Sequence, residues 1–156
     1  MRGKQAPKRP VQLDAKFNNA QIGKFINYLM SRGKKSTAQH IVYDCFKNIS
    51  DKTKQDALEV FDNAIKNVGP SLEVKGRRIG GANYQIPYPV RAERKFNLAS
   101  RWLIIAAKKR RGKAMAEKLA MEIIDAANEA GEAYKKKVDA HRMADANRAF
   151  AHFARF

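Results

Sequence analysis

The feature that most constrains the fold is the spacing of apolar residues, which differs in one stretch of the chain from the spacing on either side of it. On both sides of residues 72–90, apolar residues recur three and four positions apart, a period typical of amphipathic helices. Within residues 72–90 the period is two: Leu72 and Val74 alternate with charged residues, and Tyr84 and Ile86 continue the alternation further on. The sequence therefore predicts a mainly α fold with one β-hairpin inserted among the helices.

Six helical segments are predicted, three before the hairpin and three after it. The third is expected over about 53–68 and the fourth over about 94–111. The sixth is expected to begin near residue 132 and to run toward the C-terminus. The predicted fold is a single-domain six-helix bundle of residues 17–156, with a β-hairpin protruding between helices three and four.

The hairpin has two features that constrain how it pairs. A Gly-Gly-Ala-Asn segment at residues 80–83 predicts the turn. Pro87 and Pro89 are two residues apart, so both missing N–H groups fall on the same strand edge, and the opposite edge must carry the pairing. Because a lone hairpin is marginal in water, this one is expected to rest on helices or on a ligand.

The chain is strongly basic, and its charge is unevenly distributed. Its 156 residues include 32 Lys and Arg against 15 Asp and Glu, which gives a net charge of +17. Residues 1–16 read as a flexible basic arm, and the segments 69–95 and 96–113 carry further surplus. A compact protein with this charge repels itself, so the composition predicts a polyanionic partner, with nucleic acid favoured over an anionic membrane surface.

The sequence contains no motif that indicates an enzyme, a metal-binding protein or a membrane-spanning protein. No phosphate-loop, zinc-protease or nucleophile-elbow motif occurs, so the chain is not expected to be an enzyme. The single Cys45 lies on an apolar stripe, and His40, His141 and His152 have no metal-ligand spacing, so neither a metal nor a cofactor is predicted. No apolar run approaches the length of a membrane span, and the lone cysteine fits a reducing cytoplasm.

Candidate binding residues are the cations of four segments: the arm, the loop before helix two, the hairpin region and helix four. They are Arg2, Lys4, Lys8, Arg9, Lys34, Lys35, Lys75, Arg77, Arg78, Arg94, Lys95, Arg101, Lys108, Arg111 and Lys113. Tyr84 and Tyr88 stand among these charges. They can stack on unpaired bases or pack between hairpin and helix, and the sequence leaves both interpretations open.

Several motifs along the chain resemble one family, ribosomal protein seven of the small subunit in its bacterial form. The similarity is collinear over roughly residues 11–153. The motifs are Gly33-Lys34-Lys35 followed by Ile41-Val42 and Cys45, then Leu72-Glu-Val-Lys75, Arg77-Arg78-Ile-Gly-Gly81, Tyr84-Gln-Ile-Pro87, Arg101-Trp102, His141-Arg-Met-Ala144 and Ala149-Phe-Ala-His152.

The resemblance implies a structural protein of the cytoplasmic ribosome. It implies binding to the 3′ major domain of 16S rRNA, nucleation of the subunit head, and contact with exit-site tRNA and the mRNA path. Its implied neighbours are small-subunit ribosomal proteins nine, eleven and thirteen, around a chain that is monomeric within the ribosome. The residues expected to face tRNA and mRNA are Gly80, Gly81, Asn83, Tyr84, Arg142 and Arg148.

One alternative function is a DNA-architectural protein that uses a basic β-arm. In that interpretation Arg77 and Arg78 enter a minor groove. Architectural arms usually come in pairs from dimers, however, and the sequence shows no dimer seam.

Overall fold

The computed structural model describes residues 3, 6 and 11–155, and it divides the chain into two compact units, residues 1–40 and residues 41–156. The boundary between the units falls within the second helix. The elements in chain order are α1 (Ala20–Leu29), α2 (Lys35–Thr53), α3 (Ala57–Val68), β1 (Leu72–Ile79), β2 (Ala82–Pro89), α4 (Ala92–Lys109), α5 (Met115–Ala127), α6 (Gly131–Ala146) and a 3₁₀ helix (Arg148–Arg155).

The first unit is organised around the start of α1. The carboxylate of Asp14 is buried and accepts the backbone N–H groups of Lys16 and Phe17, both at 3.1 Å. Residues 15–17 therefore form a turn, which begins within the segment that the sequence assigns to the arm. Asn19 caps α1, because its Oδ1 accepts the N–H of Gln21 at 2.7 Å. The apolar stripe of α1 is buried and consists of Ile22, Phe25, Ile26 and Leu29.

The second unit has a helical core in which α3, α4, α5 and α6 all pack on one another. Small residues on these helices allow close approach, and larger apolar side chains fill the interior. Each large apolar side chain that is fully buried contributes about 1.5–3 kcal/mol. The fully or almost fully buried members include Phe61, Ala64, Val68, Ala99, Leu103, Ala107, Leu119, Ala120 and Ile123.

The hairpin connects α3 to α4, and its turn is shorter than the sequence predicts. Strands β1 and β2 pair antiparallel, and the last pair is Ile79 with Ala82. Gly80 and Gly81 both adopt positive φ, +57° and +91°, as a two-residue hairpin turn requires. The prediction of a four-residue turn at 80–83 is therefore wrong, since two glycines suffice and Ala82 and Asn83 belong to β2.

The proline edge is confirmed. The N–H of Val90 donates to the carbonyl of Ser71 at 2.9 Å, so the backbone donor of residue 90 points toward the β1 side. Donor direction alternates along a strand, so Pro87 and Pro89 turn their nitrogens away from β1. The prolines remove no hydrogen bond from the pairing.

Helix α6 and the 3₁₀ helix support the hairpin. The ring of Tyr84 lies 5.2 Å from that of Phe150 and 5.3 Å from that of Phe153, measured between centroids. Near the base of the hairpin, the N–H of Ser71 donates to Nε2 of His141 at 3.0 Å. The expected support is therefore supplied by the C-terminal part of the chain.

Two helix boundaries differ from the prediction. Helix α3 begins at Ala57, because Asp56 caps it by accepting the N–H of Leu58 at 3.1 Å, whereas residue 53 still belongs to α2. Helix α6 ends at Ala146, and the C-terminal segment continues as the separate 3₁₀ helix. The mainly α class and the position of the hairpin between α3 and α4 are confirmed.

An ion pair joins the ends of three helices. Arg110 follows α4 and donates from Nε to Oε2 of Glu122 at 2.7 Å; its terminal nitrogen also contacts Asp125. Glu122 is fully buried on α5, and its Oε1 accepts the N–H of Ala133 at the start of α6 at 2.9 Å. Gly131 leaves room for this carboxylate, because a Cβ at that position would lie 3.0 Å from Oε1. Its φ of +87° also favours glycine over a residue with a side chain.

The positive charge of Arg110 is therefore paired with two carboxylates of the same chain. Burial opposes that charge, but the hydrogen bonds to Asp125 and Glu122 outweigh it and raise the pKa of the guanidinium. The basic run at 108–111 thus has one member that serves the helix junction, and it is not among the candidate binding residues selected from the sequence, which include Lys108 and Arg111.

We expect Arg110→Met to lower the free energy of unfolding by about 3–5 kcal/mol, because it leaves the Glu122 carboxylate buried without its cation. Arg111→Met is the matched control. Arg111 is exposed, so its loss should change stability by no more than about 0.5 kcal/mol. Urea unfolding of both variants measures the difference, and equal values would contradict the assigned role of Arg110.

Candidate nucleic-acid interface

The exposed face of α4 carries a row of cations. Arg94, Arg101 and Lys108 are exposed and are spaced seven residues apart. A seven-residue step in an α-helix returns to nearly the same face, drifting by about 20°, so these side chains form one stripe about 21 Å long. The sequence places these residues on helix four. The seven-residue period is the further signal that puts them on one face.

The hairpin adds exposed cations beside the first turn of α4. Lys75, Arg77 and Arg78 are exposed on β1. Because side chains alternate along a strand, Lys75 and Arg77 lie on one face and Arg78 on the other. The hairpin therefore presents positive charge on both faces.

A cleft lies where the hairpin meets α4. Its volume is about 750 Å³, and its cationic lining residues are Lys75, Arg91 and Arg94. Arg91 is the N-cap residue of α4, and its side chain makes no capping hydrogen bond. Tyr88 also lines the cleft, and Nζ of Lys75 lies 5.6 Å from the centre of its ring.

The carboxylate of Glu73 lines the cleft together with these cations. Oε1 of Glu73 is 3.0 Å from Nζ of Lys75, and Oε2 is 3.3 Å from Nε of Arg94. Burial alone would raise the pKa of Glu73, but the hydrogen bond from Lys75 and the charges of Arg94 and Lys75 hold it below its ordinary value of 4.5. Glu73 is therefore charged at neutral pH.

The remaining candidate cations occupy different settings. Arg111 is exposed, and Lys113 is exposed beside Glu117, with Nζ and Oε2 3.8 Å apart. Lys95 is partly buried, because its aliphatic stem packs over Gly69. Lys34 and Lys35 are exposed in the first unit, at the start of α2.

The structure does not describe four of the candidate binding residues, and it shows one exposed cation that the selection omits. Arg2, Lys4, Lys8 and Arg9, with most of the predicted arm, lie outside the described residues. The sequence-based selection also omits Arg32, which is exposed two residues before Lys34 and has φ +53°.

The residues expected to face tRNA and mRNA fall into two groups. Gly80, Gly81 and Asn83 are exposed at the hairpin tip, and Arg142 and Arg148 are exposed on α6 and the 3₁₀ helix. Tyr84 instead packs with Phe150 and Phe153, which is the hairpin-to-helix packing that the sequence leaves open. Any RNA contact by Tyr84 has to be made from within this cluster.

The described part of the chain holds no cluster of metal ligands, and its cysteine is buried. Among residues 3, 6 and 11–155, no group of three His, Cys, Asp or Glu side chains is arranged to hold a metal ion. Burial raises the pKa of the Cys45 thiol, which makes it a poor nucleophile. In the same residues, no helix is long and apolar enough to cross a membrane.

The fold and its surface define a small, strongly basic helical protein with an exposed cationic hairpin. The family model described as "Ribosomal protein S7p/S5e" matches residues 1–148. The chain belongs to this family.

Curated relatives named "Small ribosomal subunit protein uS7" are similar over nearly the whole chain. The protein of Mesomycoplasma hyopneumoniae strain 7448 is 58% identical over 152 residues, which cover 97% of each chain. The protein of Moorella thermoacetica is 54% identical over 149 residues, 96% of each chain. That of Chloroflexus aggregans is 51% identical over 148 residues, 95% of this chain and 94% of the relative.

Membership of this family confirms several predictions. The chain is a structural ribosomal protein of the small subunit and not an enzyme, and its place is the cytoplasmic ribosome. The resemblance found in its motifs is confirmed, and the DNA-architectural alternative is not supported.

We expect Glu73 to contribute stability that depends on pH. Because its folded pKa is lowered, the contribution is complete above about pH 4.5 and is lost as the pH falls through the folded pKa. The difference in unfolding free energy between wild type and Glu73→Gln should be within about 1 kcal/mol, since its partners are exposed, and should vanish at low pH. Chemical unfolding at a series of pH values measures it, and a difference that grows on acidification would contradict the assignment.

Proposed function

We propose that the chain is a primary rRNA-binding protein that binds the 3′ major domain of 16S rRNA as a monomer and nucleates assembly of the subunit head. The observation that carries this proposal is the continuous cationic surface of the second unit, from the hairpin through the cleft to the stripe on α4. RNA helices are recognised mostly by shape and backbone, and an extended row of exposed Arg and Lys suits that mode of recognition.

This proposal is supported by the contrast between a cation that is paired within the fold and cations that are exposed. Arg110 is neutralised by Glu122 and Asp125, whereas Arg101, Lys108 and Arg111 are exposed. Arg101 and Lys108 lie on α4, which fixes the spacing of their backbone positions, so only their side chains have to be ordered when they contact phosphates. Lys34 and Lys35 add a second exposed cationic site in the first unit, at the start of α2.

The hairpin tip is proposed to face exit-site tRNA and the mRNA path. Gly80 and Gly81 have no side chain, so the backbone of the turn can approach a sugar or phosphate closely. Asn83, Arg142 and Arg148 supply exposed polar groups. Small-subunit ribosomal proteins nine, eleven and thirteen are the proposed protein neighbours.

The purified chain should bind a transcript of the 3′ major domain with strong salt dependence. If about eight phosphates are neutralised, log K should fall against log[salt] with a slope of roughly −6 to −7. Fluorescence anisotropy at several salt concentrations measures this slope. Arg78→Gln should make it shallower by about 0.7–0.9, the share of one contact.

Two results of the salt titration would contradict the proposal. One is a slope shallower than about −2, which would mean that the basic surface is not the binding surface. The other is equal affinity for the 3′ major domain and for an unrelated structured RNA of the same length, since a primary binder must prefer its own site.

Shortening the hairpin should separate its role from that of α4. The variant removes two strand pairs (Arg78, Ile79, Ala82 and Asn83) and joins Arg77 to Tyr84 through Gly80-Gly81, which preserves the register and the turn. Stability should change by less than about 1 kcal/mol, because Tyr84 keeps its contacts with the 3₁₀ helix. Binding to the 3′ major domain should persist, while exit-site tRNA retention or reading-frame maintenance changes in reconstituted subunits.

The control for the shortened hairpin is Arg78→Gln, which removes the same charge and leaves the hairpin at full length. The division of roles is wrong if the shortened variant fails to assemble into subunits. It is also wrong if the assembled subunits behave as wild type in both tRNA-release and frameshifting assays.

A further inference from the structure

Glu73 is an acidic residue held between two cations of the cationic surface. Each of its carboxylate oxygens serves a different cation, Oε1 for Lys75 on the same strand and Oε2 for Arg94 on α4. Its side chain is only 16% exposed, whereas those of Lys75 and Arg94 are 59% and 47% exposed. The carboxylate is therefore covered, and the two cations project from it toward solvent.

A carboxylate at this position opposes RNA binding if only net charge is considered. It removes positive potential from the cleft lined by Lys75, Arg91 and Arg94. Ion pairs whose cations are exposed contribute little stability, so the fold alone gives a weak reason for a carboxylate at this position. The effect of Glu73 on the geometry of the two cations gives a stronger reason for a carboxylate at this position.

The contacts fix both cations in direction. Arg94 uses Nε for Glu73, which leaves the terminal nitrogens of the guanidinium, the pair whose spacing matches two phosphate oxygens. Lys75 is held between the carboxylate and the ring of Tyr88. Long side chains that are already ordered lose less freedom when a ligand binds.

We propose that Glu73 is a positioning residue for RNA recognition, which holds Arg94 and Lys75 in one arrangement and reduces the attraction of the cleft for phosphates that do not fit it. This inference rests on the proposed rRNA-binding function. The lowered pKa of Glu73 keeps the carboxylate charged at neutral pH, where RNA binding is measured. Discrimination then comes from weaker binding to mismatched RNA as well as from better contacts with the matched site.

The test compares Glu73→Gln with Glu59→Gln. Each removes one negative charge, but Glu59 is exposed on the first turn of α3 and does not line the cleft. Affinities are measured for the 3′ major domain transcript and for an unrelated structured RNA of equal length at one salt concentration. We expect Glu73→Gln to lower the ratio of the two affinities roughly 3- to 10-fold, and Glu59→Gln to leave it unchanged.

A second variant separates positioning from charge. Glu73→Asp keeps the negative charge but is shorter by one methylene, so it cannot span the same two cations. It should weaken binding to the 3′ major domain while leaving binding to the unrelated RNA as in wild type. It also keeps the inference testable if Glu73→Gln fails to fold, which thermal unfolding reveals.

The outcomes distinguish this inference from the function on which it rests. If wild type shows no preference for the 3′ major domain, the proposed function fails. If wild type shows the preference and Glu73→Gln changes the affinity ratio no more than Glu59→Gln, only the role of Glu73 is overturned. Wild-type affinity of Glu73→Asp for both RNAs would likewise overturn positioning.

Discussion

The buried carboxylate of Glu122 is the constraint on which the second unit depends. It accepts from Arg110 beyond the end of α4 and from the backbone of Ala133 at the start of α6, so one side chain connects three helices. A buried charge left without these partners is strongly unfavourable, which ties the three helix ends to one arrangement. Helix α4 carries the cationic stripe and α6 supports the hairpin, so the junction joins the two helices on which the proposed interface depends.

The periodicity of the sequence is sufficient to predict the helices and the hairpin, because each amphipathic segment buries one face. It is not sufficient for the turn, since its length depends on whether Gly80 and Gly81 both adopt positive φ. It also does not show that Arg110 is paired, because its partner Glu122 lies 12 residues further along the chain. A signal was present, however: Glu122 lies three residues after Leu119 on the apolar stripe of α5, where an acid requires a buried partner.

Contacts between distant segments of the candidate interface could not be predicted from the sequence either. Composition and local charge identify Lys75 and Arg94 as cations near the hairpin, but their common contact with Glu73 arises only when β1 lies beside the start of α4. Tyr84 is the opposite case, because an aromatic residue in a cationic strand suits either stacking on bases or packing. Its neighbours Phe150 and Phe153 come from the 3₁₀ helix near the C-terminal end of the chain, which meets the hairpin only in the folded protein.

The two prolines of β2 have a consequence for the chain before it meets any RNA. An exposed strand edge is a template on which another molecule can add a strand, and a hairpin has two such edges. Pro87 and Pro89 leave the outer edge of β2 without two of its backbone donors, while β1 carries Lys75, Arg77 and Arg78. Newly made copies therefore resist edge-to-edge aggregation, by missing donors on one side and by mutual repulsion on the other.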